Sequence, residues 1–243
     1  MIQLFQADAL EWLSSLPAES VDLCCADPPY ESLEKHRAHG TTTRLSHSTA
    51  SSNDWFRTIP NSSLETLVGQ FYRVLKPNRH AYMFCDDETS DLLAPLAVAA
   101  GFKNWGRLVW DKRKIGMGYH YRRRHEFILF WEKGKKRLND LGIPSVLEFP
   151  RVRGYPAEKP VELLEVLIRQ STHPGELVLD PFFGSGSCAE ACRRQGRNFQ
   201  GCDISEEAHR YAHEKWGIGD GNAKSGSAGH EVQEQLPLAD PVC

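Results

Sequence analysis

The sequence predicts an α/β fold with a mostly parallel sheet covered by helices on both faces. Three observations predict it. Strand-like and helix-like patterns alternate along most of the chain, as they do where crossover helices join parallel strands. Two apolar strand-like runs, Val21–Ala26 and Leu177–Asp180, end abruptly in loops built from proline, glycine and acid. The chain has 243 residues, 25% charged and 40% apolar, which is a globular balance.

Taken in order, Ile2 to Phe5 reads as a short strand and Ala9 to Leu16 as a helix that Pro17 ends. Val21 to Ala26 is the next strand. Residues 31 to 62 are polar, rich in Ser, Thr and His, and without period. A loop that long in a compact domain is functional or mobile. Leu64, Leu67, Val68, Phe71, Val74 and Leu75 recur at helical spacing, and Lys76-Pro77-Asn78 stops that helix. His80 to Phe84 is a strand. Asp91 to Ala100 is a helix, broken or bent near Pro95 and ended by Gly101. Asn104 to Trp110 and Glu126 to Trp131 read as an antiparallel pair around a basic loop. Pro160 opens a helix that runs to Ser171. The strand 177–180, a short helix Cys188 to Cys192, the strand Asn198 to Asp203 and a helix ending near Trp216 complete the folded part, residues 1–216. Gly, Ser, Asn and acids dominate 217–243, which reads as a disordered tail.

The two loops carry the chemistry. Asp27-Pro28-Pro29-Tyr30 follows a strand, and ligands of open α/β sheets bind at the carboxyl ends of strands. The prolines stiffen the chain and offer carbonyls without competing amide protons. A carboxylate acceptor, a carbonyl acceptor and a stacking ring suit a flat substrate bearing an NH2 group, such as adenine or cytosine. In Asp180-Pro181-Phe182-Phe183-Gly184-Ser185-Gly186-Ser187 the glycines let backbone approach a ligand, and the following helix offers free amides to an anion. Asp203 stands about 20 residues on, where nucleotide-binding folds hold ribose hydroxyls. The third glycine of the dinucleotide fingerprint is missing, which argues against a nicotinamide cofactor.

Together these residues resemble the β group of S-adenosylmethionine-dependent DNA amino-methyltransferases. The Asp27 loop matches the family's catalytic motif and the Asp180 loop its cofactor motif. Gln6-Ala7-Asp8-Ala9-Leu10, Arg73-Val74-Leu75-Lys76-Pro77-Asn78 and Glu158-Lys159-Pro160-Val161 also agree. The catalytic motif comes first, which is the permuted order of that group. The resemblance covers residues 2 to 216 and implies a Rossmann-like methyltransferase domain. It implies that Asp27, Pro28, Pro29 and Tyr30 handle a flipped adenine of double-stranded DNA. Asp180, Pro181, Phe182, Phe183, Gly184, Ser185, Gly186 and Ser187 would wrap the methionine part of the cofactor. Asp203 would hold its ribose and Asp8, with Ala9, its adenine, although Asp8 also reads as a helix cap. Lys159 would lie near the cofactor carboxylate, although a solvated lysine is the plainer reading. A homodimer and a cognate restriction nuclease are the partners the family brings to mind.

The net charge of −3 hides an asymmetry. Between Lys103 and Arg137 twelve Lys/Arg stand against Asp111, Glu126 and Glu132. Lys112, Arg113, Lys114, Arg122, Arg123 and Arg124 are the candidate phosphate ligands within a DNA-binding and target-recognition region, residues 103–156. Interleaved Trp105, Trp110, Tyr119, Tyr121 and Trp131 argue against a plain charge run, with Trp110 and Trp131 also candidates for the core. Only about 133–156 is free for a separate recognition module.

Seven cysteines without zinc spacing read as reduced, buried thiols, and no metal site is expected. His209 and His213 read as lying on the wet face of the last helix. No 18-residue apolar stretch and no signal-like start are present, so a cytoplasmic protein away from membranes is expected. Two rivals remain open: a cytosine-N4 methyltransferase, which Asp27 in place of a family serine disfavours, and a DNA-binding protein with a degenerate fold. RNA is a further rival substrate.

Overall fold

In the computed structural model residues 1–32, 58–116 and 120–218 are described. The expectations for Tyr119, for most of the 31–62 loop and for residues 219–243 of the tail lie outside them. The elements are β1 (Ile2–Gln6), α1 (Ala9–Ser15), β2 (Val21–Ala26), α2 (Leu64–Val74), β3 (Leu75–Cys85), α3 (Asp87–Ala100), β4 (Lys103–Asp111), β5 (His125–Lys133), β6 (Val146–Glu148), α4 (Val161–Ser171), β7 (Leu177–Asp180), α5 (Ser187–Arg194), β8 (Asn198–Asp203) and α6 (Glu206–Trp216).

Among the described residues eight strands form one sheet in the order β1-β8-β7-β2-β3-β5-β4-β6. The first five run parallel; β5 is antiparallel to both β3 and β4, and β6 pairs parallel with β4. Period-2 alternation sends β2 side chains to two cores. Leu23 and Cys25 join α4, α5 and α6 on one face, whereas Cys24 and Ala26 join α1, α2 and α3 on the other. Both faces are therefore dry, as in parallel sheets generally. Full burial of a side chain such as Leu67 or Leu167 contributes about 1.5–3 kcal/mol.

β2 and β7 lie side by side, yet the chain leaves them in opposite directions. From β2 it passes through α2 to β3; from β7 it passes through α5 to β8. This is a topological switch point, where loops diverge and leave a crevice above the strand ends. Asp27 follows β2, and Asp180 ends β7.

Three elements differ from the sequence reading. β3 begins at Leu75, not His80, because Lys76-Pro77-Asn78 is an irregularity inside the strand rather than a loop. Asn78 takes φ +57°, and Lys76 and Arg79 reach the buried Asp22 of β2 at 2.9–3.1 Å. α3 begins at Asp87, not Asp91, capped by Asp86, whose carboxylate accepts from the Thr89 amide at 2.8 Å. It runs as one helix through Pro95. β6 was not anticipated: three residues are too few to show a period. It extends the sheet within the region 103–156, whose strands β4 and β5 also bury Trp110, Ile128, Leu129 and Trp131 in the cores.

Candidate active site

A cleft of about 860 Å3 opens over the switch point. Asp8 borders it after β1, Asp203 at the end of β8, Asp180 at the end of β7 and Asp27 after β2. Because β5 is antiparallel, its first residues also reach this end of the sheet, and Glu126 joins the wall.

On the β2 side, Asp27 is one-third open to the cleft, its side chain 33% exposed. Burial pushes its carboxyl above the usual carboxylate range, against the opposing pull of the Lys159 ammonium. Pro28 is buried, and the Pro29 carbonyl accepts from the Ile59 amide at 2.7 Å. Tyr30, the expected stacking ring, lines the cleft at only 4% exposure, with its hydroxyl donating to the Phe84 carbonyl at 2.6 Å, so its ring is a fixed part of the wall.

On the β7 side, the chain turns through Gly184 (φ +49°) and Gly186 (φ +76°) into α5. Any other L-residue would be strained at these angles. The amide of Gly184 donates to Asp203 Oδ2 at 3.0 Å and that of Ser205 to Oδ1 at 2.9 Å. Ser185 and Ser187 share a hydroxyl contact of 2.7 Å. Phe183 is buried against His209, which sits inside the fold and not on the wet face; His213 is the exposed one. Asp180 accepts from the Phe182 amide at 3.0 Å. Burial pushes its carboxyl up to about 8, and the nearby Asp27 and Asp203 add to the effect.

The remaining predicted site residues divide. Asp8 borders the cleft and also caps α1, accepting from the amides of Leu10 (2.9 Å) and Glu11 (3.3 Å). Ala9, Pro181 and Phe182 line the same cleft. Lys159, assigned to the cofactor carboxylate, is buried and pairs with Asp27, with Glu126 Oε2 at 3.5 Å. Lys112 is not a surface cation: it turns inward to Glu126 and lies 5.0 Å from the Trp110 ring. Arg113, Arg123 and Arg124 are exposed but pair with Glu148, Asp87 and Asp111. Two of those acids, Asp87 and Glu148, fall outside the segment whose charge was counted. Lys114 and Arg122 make no ion pair among the described residues. Glu126 was missed as a site residue. Its signal in the sequence is an acid at the first step of an otherwise apolar strand.

Over residues 21–214 the chain matches the family described as DNA methylase, of the N6/N4 type. The protein belongs to the N6/N4 DNA methylase family. Its motif order is that of the β group, and the family's methyl donor is S-adenosylmethionine. YubD of Escherichia coli (strain K12) is 32% identical over 212 residues, covering 86% of this chain and 88% of that protein. The DNA adenine methyltransferase YhdJ of the same organism is 28% identical, covering 84% and 79%. Among solved structures, the M1.HpyAVI–SAM complex superposes with a TM-score of 0.65 at 24% identity, covering 88% of this chain and 99% of that one. The cytosine-N4-specific PvuII DNA methyltransferase gives 0.65 at 17%, covering 89% and 88%. Both share the fold.

The cleft of this methylase fits the cofactor. Asp180 is a buried carboxylate without an ion-pair partner among the described residues, which an ammonium group would satisfy. The left-handed Gly184 and Gly186 leave two turns of the loop without a side chain, and Asp203 stands across from Gly184. None of the helices among the described residues is long and apolar enough to cross a membrane.

Proposed function

We propose that the protein methylates the N6 amine of an adenine flipped out of double-stranded DNA. The observation that carries the reading is the switch point. It brings the Asp27 loop and the Asp180 loop, 153 residues apart in sequence, to the ends of adjacent strands over one cleft.

An exocyclic amine is a poor nucleophile because its lone pair is delocalised into the ring. Asp27 accepts one N–H and the Pro28 carbonyl the other, which favours a tetrahedral nitrogen with a usable lone pair. The Tyr30 ring, fixed by its hydroxyl, forms an aromatic wall for the base. When bound, S-adenosylmethionine supplies an electrophilic methyl group on sulfur. The lone pair freed by Asp27 and the Pro28 carbonyl would take up that methyl group, the electron pair of the C–S bond leaving with sulfur. The surplus proton of the amine leaves through Asp27. Positioning and fixed charge in a secluded site do most of this work. A base inside a duplex is out of reach, so it must be flipped.

Adenine is favoured over cytosine by Asp27, and the adenine methyltransferase YhdJ among the relatives supports it. Residues 1–216 act as one methyltransferase domain, and the cations of the β4–β5 side hold the DNA backbone. Transfer of tritiated methyl groups to plasmid DNA tests the site. Asp27→Ala should reduce it roughly a hundredfold or more while sparing cofactor binding. Turnover near that of the unaltered protein would overturn the assignment of Asp27.

A further inference from the structure

Asp27, Lys159, Glu126 and Lys112 form a chain of alternating charge along one wall of the cleft. Lys159, its side chain only 9% exposed, touches Asp27 Oδ2 and lies 3.5 Å from Glu126 Oε2. Lys112 holds the other oxygen, Oε1, of the same glutamate. The indole of Trp110 fixes both lysines laterally, 5.0 Å from Lys112 Nζ and 5.9 Å from Lys159 Nζ. The register of β4 with β5 places Trp110 opposite Glu126, so the arrangement is set by backbone pairing.

This contact conflicts with the use of Asp27 as an amine acceptor, because an ammonium already occupies it. Withdrawing that ammonium into a dry wall with no second acid would leave a buried charge unpaired, which is strongly unfavourable. We propose that Glu126 is a positioning residue that takes over the Lys159 ammonium when the target amine occupies Asp27. The step rests on the reading of Asp27 given above. It moves no covalent bond: the buried Lys159 ammonium exchanges one carboxylate partner for another a short distance away. Lys112 keeps Glu126 ionised and therefore able to receive the lysine.

The groups facing Asp27 are few. Lys159, just before α4, Glu126 of β5 and Lys112, just after β4, carry charge toward it, and Asp180 faces it from β7. Cys25, Cys85 and Tyr30 face it as neutral groups. Burial and the Glu126 charge both raise the Asp27 carboxyl, while Lys159 lowers it. Glu126→Gln keeps the shape and removes the charge, so it should strand Lys159 on Asp27 and lower the Asp27 pKa.

Two measurements decide the matter. In cofactor-free protein, carbon-13 NMR of carboxyl-labelled aspartate, assigned with Asp27→Asn, should show Asp27 titrating at lower pH in Glu126→Gln. In turnover on DNA the same variant should lose about tenfold or more in kcat at unchanged KM. The acid limb of its kcat profile should also move to lower pH, and Glu126→Asp should recover part of the rate. An unmoved Asp27 titration, an unchanged kcat or a loss confined to KM overturns the proposal. The titration needs no turnover and so reads Glu126 independently. Absence of methyl transfer by the unaltered protein would instead defeat the functional reading.

Discussion

Asp180 ends its strand in a buried position, next to two other acids, and its carboxyl is pushed up to about 8 by that burial. Below that pH it holds a proton in the cofactor-free protein. Binding of an ammonium there must expel the proton. Calorimetry at pH 7 in buffers of different ionisation heat should therefore show proton release when S-adenosylmethionine binds. Affinity should rise as pH approaches 8 and fall again above it, where an α-amino group itself loses its charge. Asp180→Asn should abolish the buffer dependence; a persistent one would assign the proton elsewhere. At Tyr30 the hydroxyl bond to Phe84 separates two effects. Tyr30→Phe keeps the ring and loses one hydrogen bond, about 1 kcal/mol of stability, whereas Tyr30→Ala loses the wall. Methyl transfer should survive far better in the first variant, and equal losses would remove the ring from the mechanism. The positions of Asp27 and Asp203 at the cleft were legible in the sequence because Asp27 follows an apolar strand and Asp203 ends the strand after the glycine loop. Glu126 was not, because its contacts with Lys112 and Lys159 span 14 and 33 residues of chain and exist only once the sheet forms.

The loop into α5 shows why sequence motifs at strand ends are readable. A Cβ on Gly186 would lie 2.9 Å from the Ala212 Cβ of α6, and φ there is +76°. Gly186→Ala should push α6 away, lower the Tm by several degrees and weaken cofactor binding together; unchanged binding would uncouple the loop from the site. The antiparallel strands β4 and β5 were legible as a pair, but the fate of their charges was not. Salt bridges to Asp87, Asp91 and Glu148 neutralise arginines that look free in the sequence. Replacing Arg122 by Ala should lower the log–log salt slope of DNA binding by about one unit. Arg124→Ala should lower it less, because Asp111 already competes for that guanidinium. A slope unchanged by Arg122→Ala would place the DNA backbone elsewhere. Element boundaries failed where a local signal pointed the wrong way. Lys76-Pro77-Asn78 reads as a stop yet lies within β3, and the acidic run 86–88 reads as loop yet caps α3 and forms its first turn.

At the scale of the whole molecule, two cores sandwich the sheet, and acid should loosen them through His80. This histidine is fully buried between Ser171 and the Lys136 carbonyl, and burial holds it at about 4 instead of 6.5. The unfolded chain takes up a proton at 6.5 that the folded chain refuses. Its contribution is therefore intact above pH 6.5 and is lost progressively as pH falls to 4, by about 3 kcal/mol. Thermal unfolding followed across that window should show the loss, reduced in His80→Gln; a flat profile would contradict it. The mostly parallel character of the sheet followed from alternating patterns, whereas its strand order did not, and the short edge strand β6 carried no pattern long enough to read. The proposed reaction brings an acceptor pair for an exocyclic amine against a methyl donor. It is tested most directly by incubating DNA with protein and S-adenosylmethionine, digesting the DNA to nucleosides and identifying the product by mass spectrometry. The expected product is N6-methyladenine from double-stranded DNA, absent with Asp27→Ala. N4-methylcytosine as the main product, or methylation confined to RNA, would contradict it.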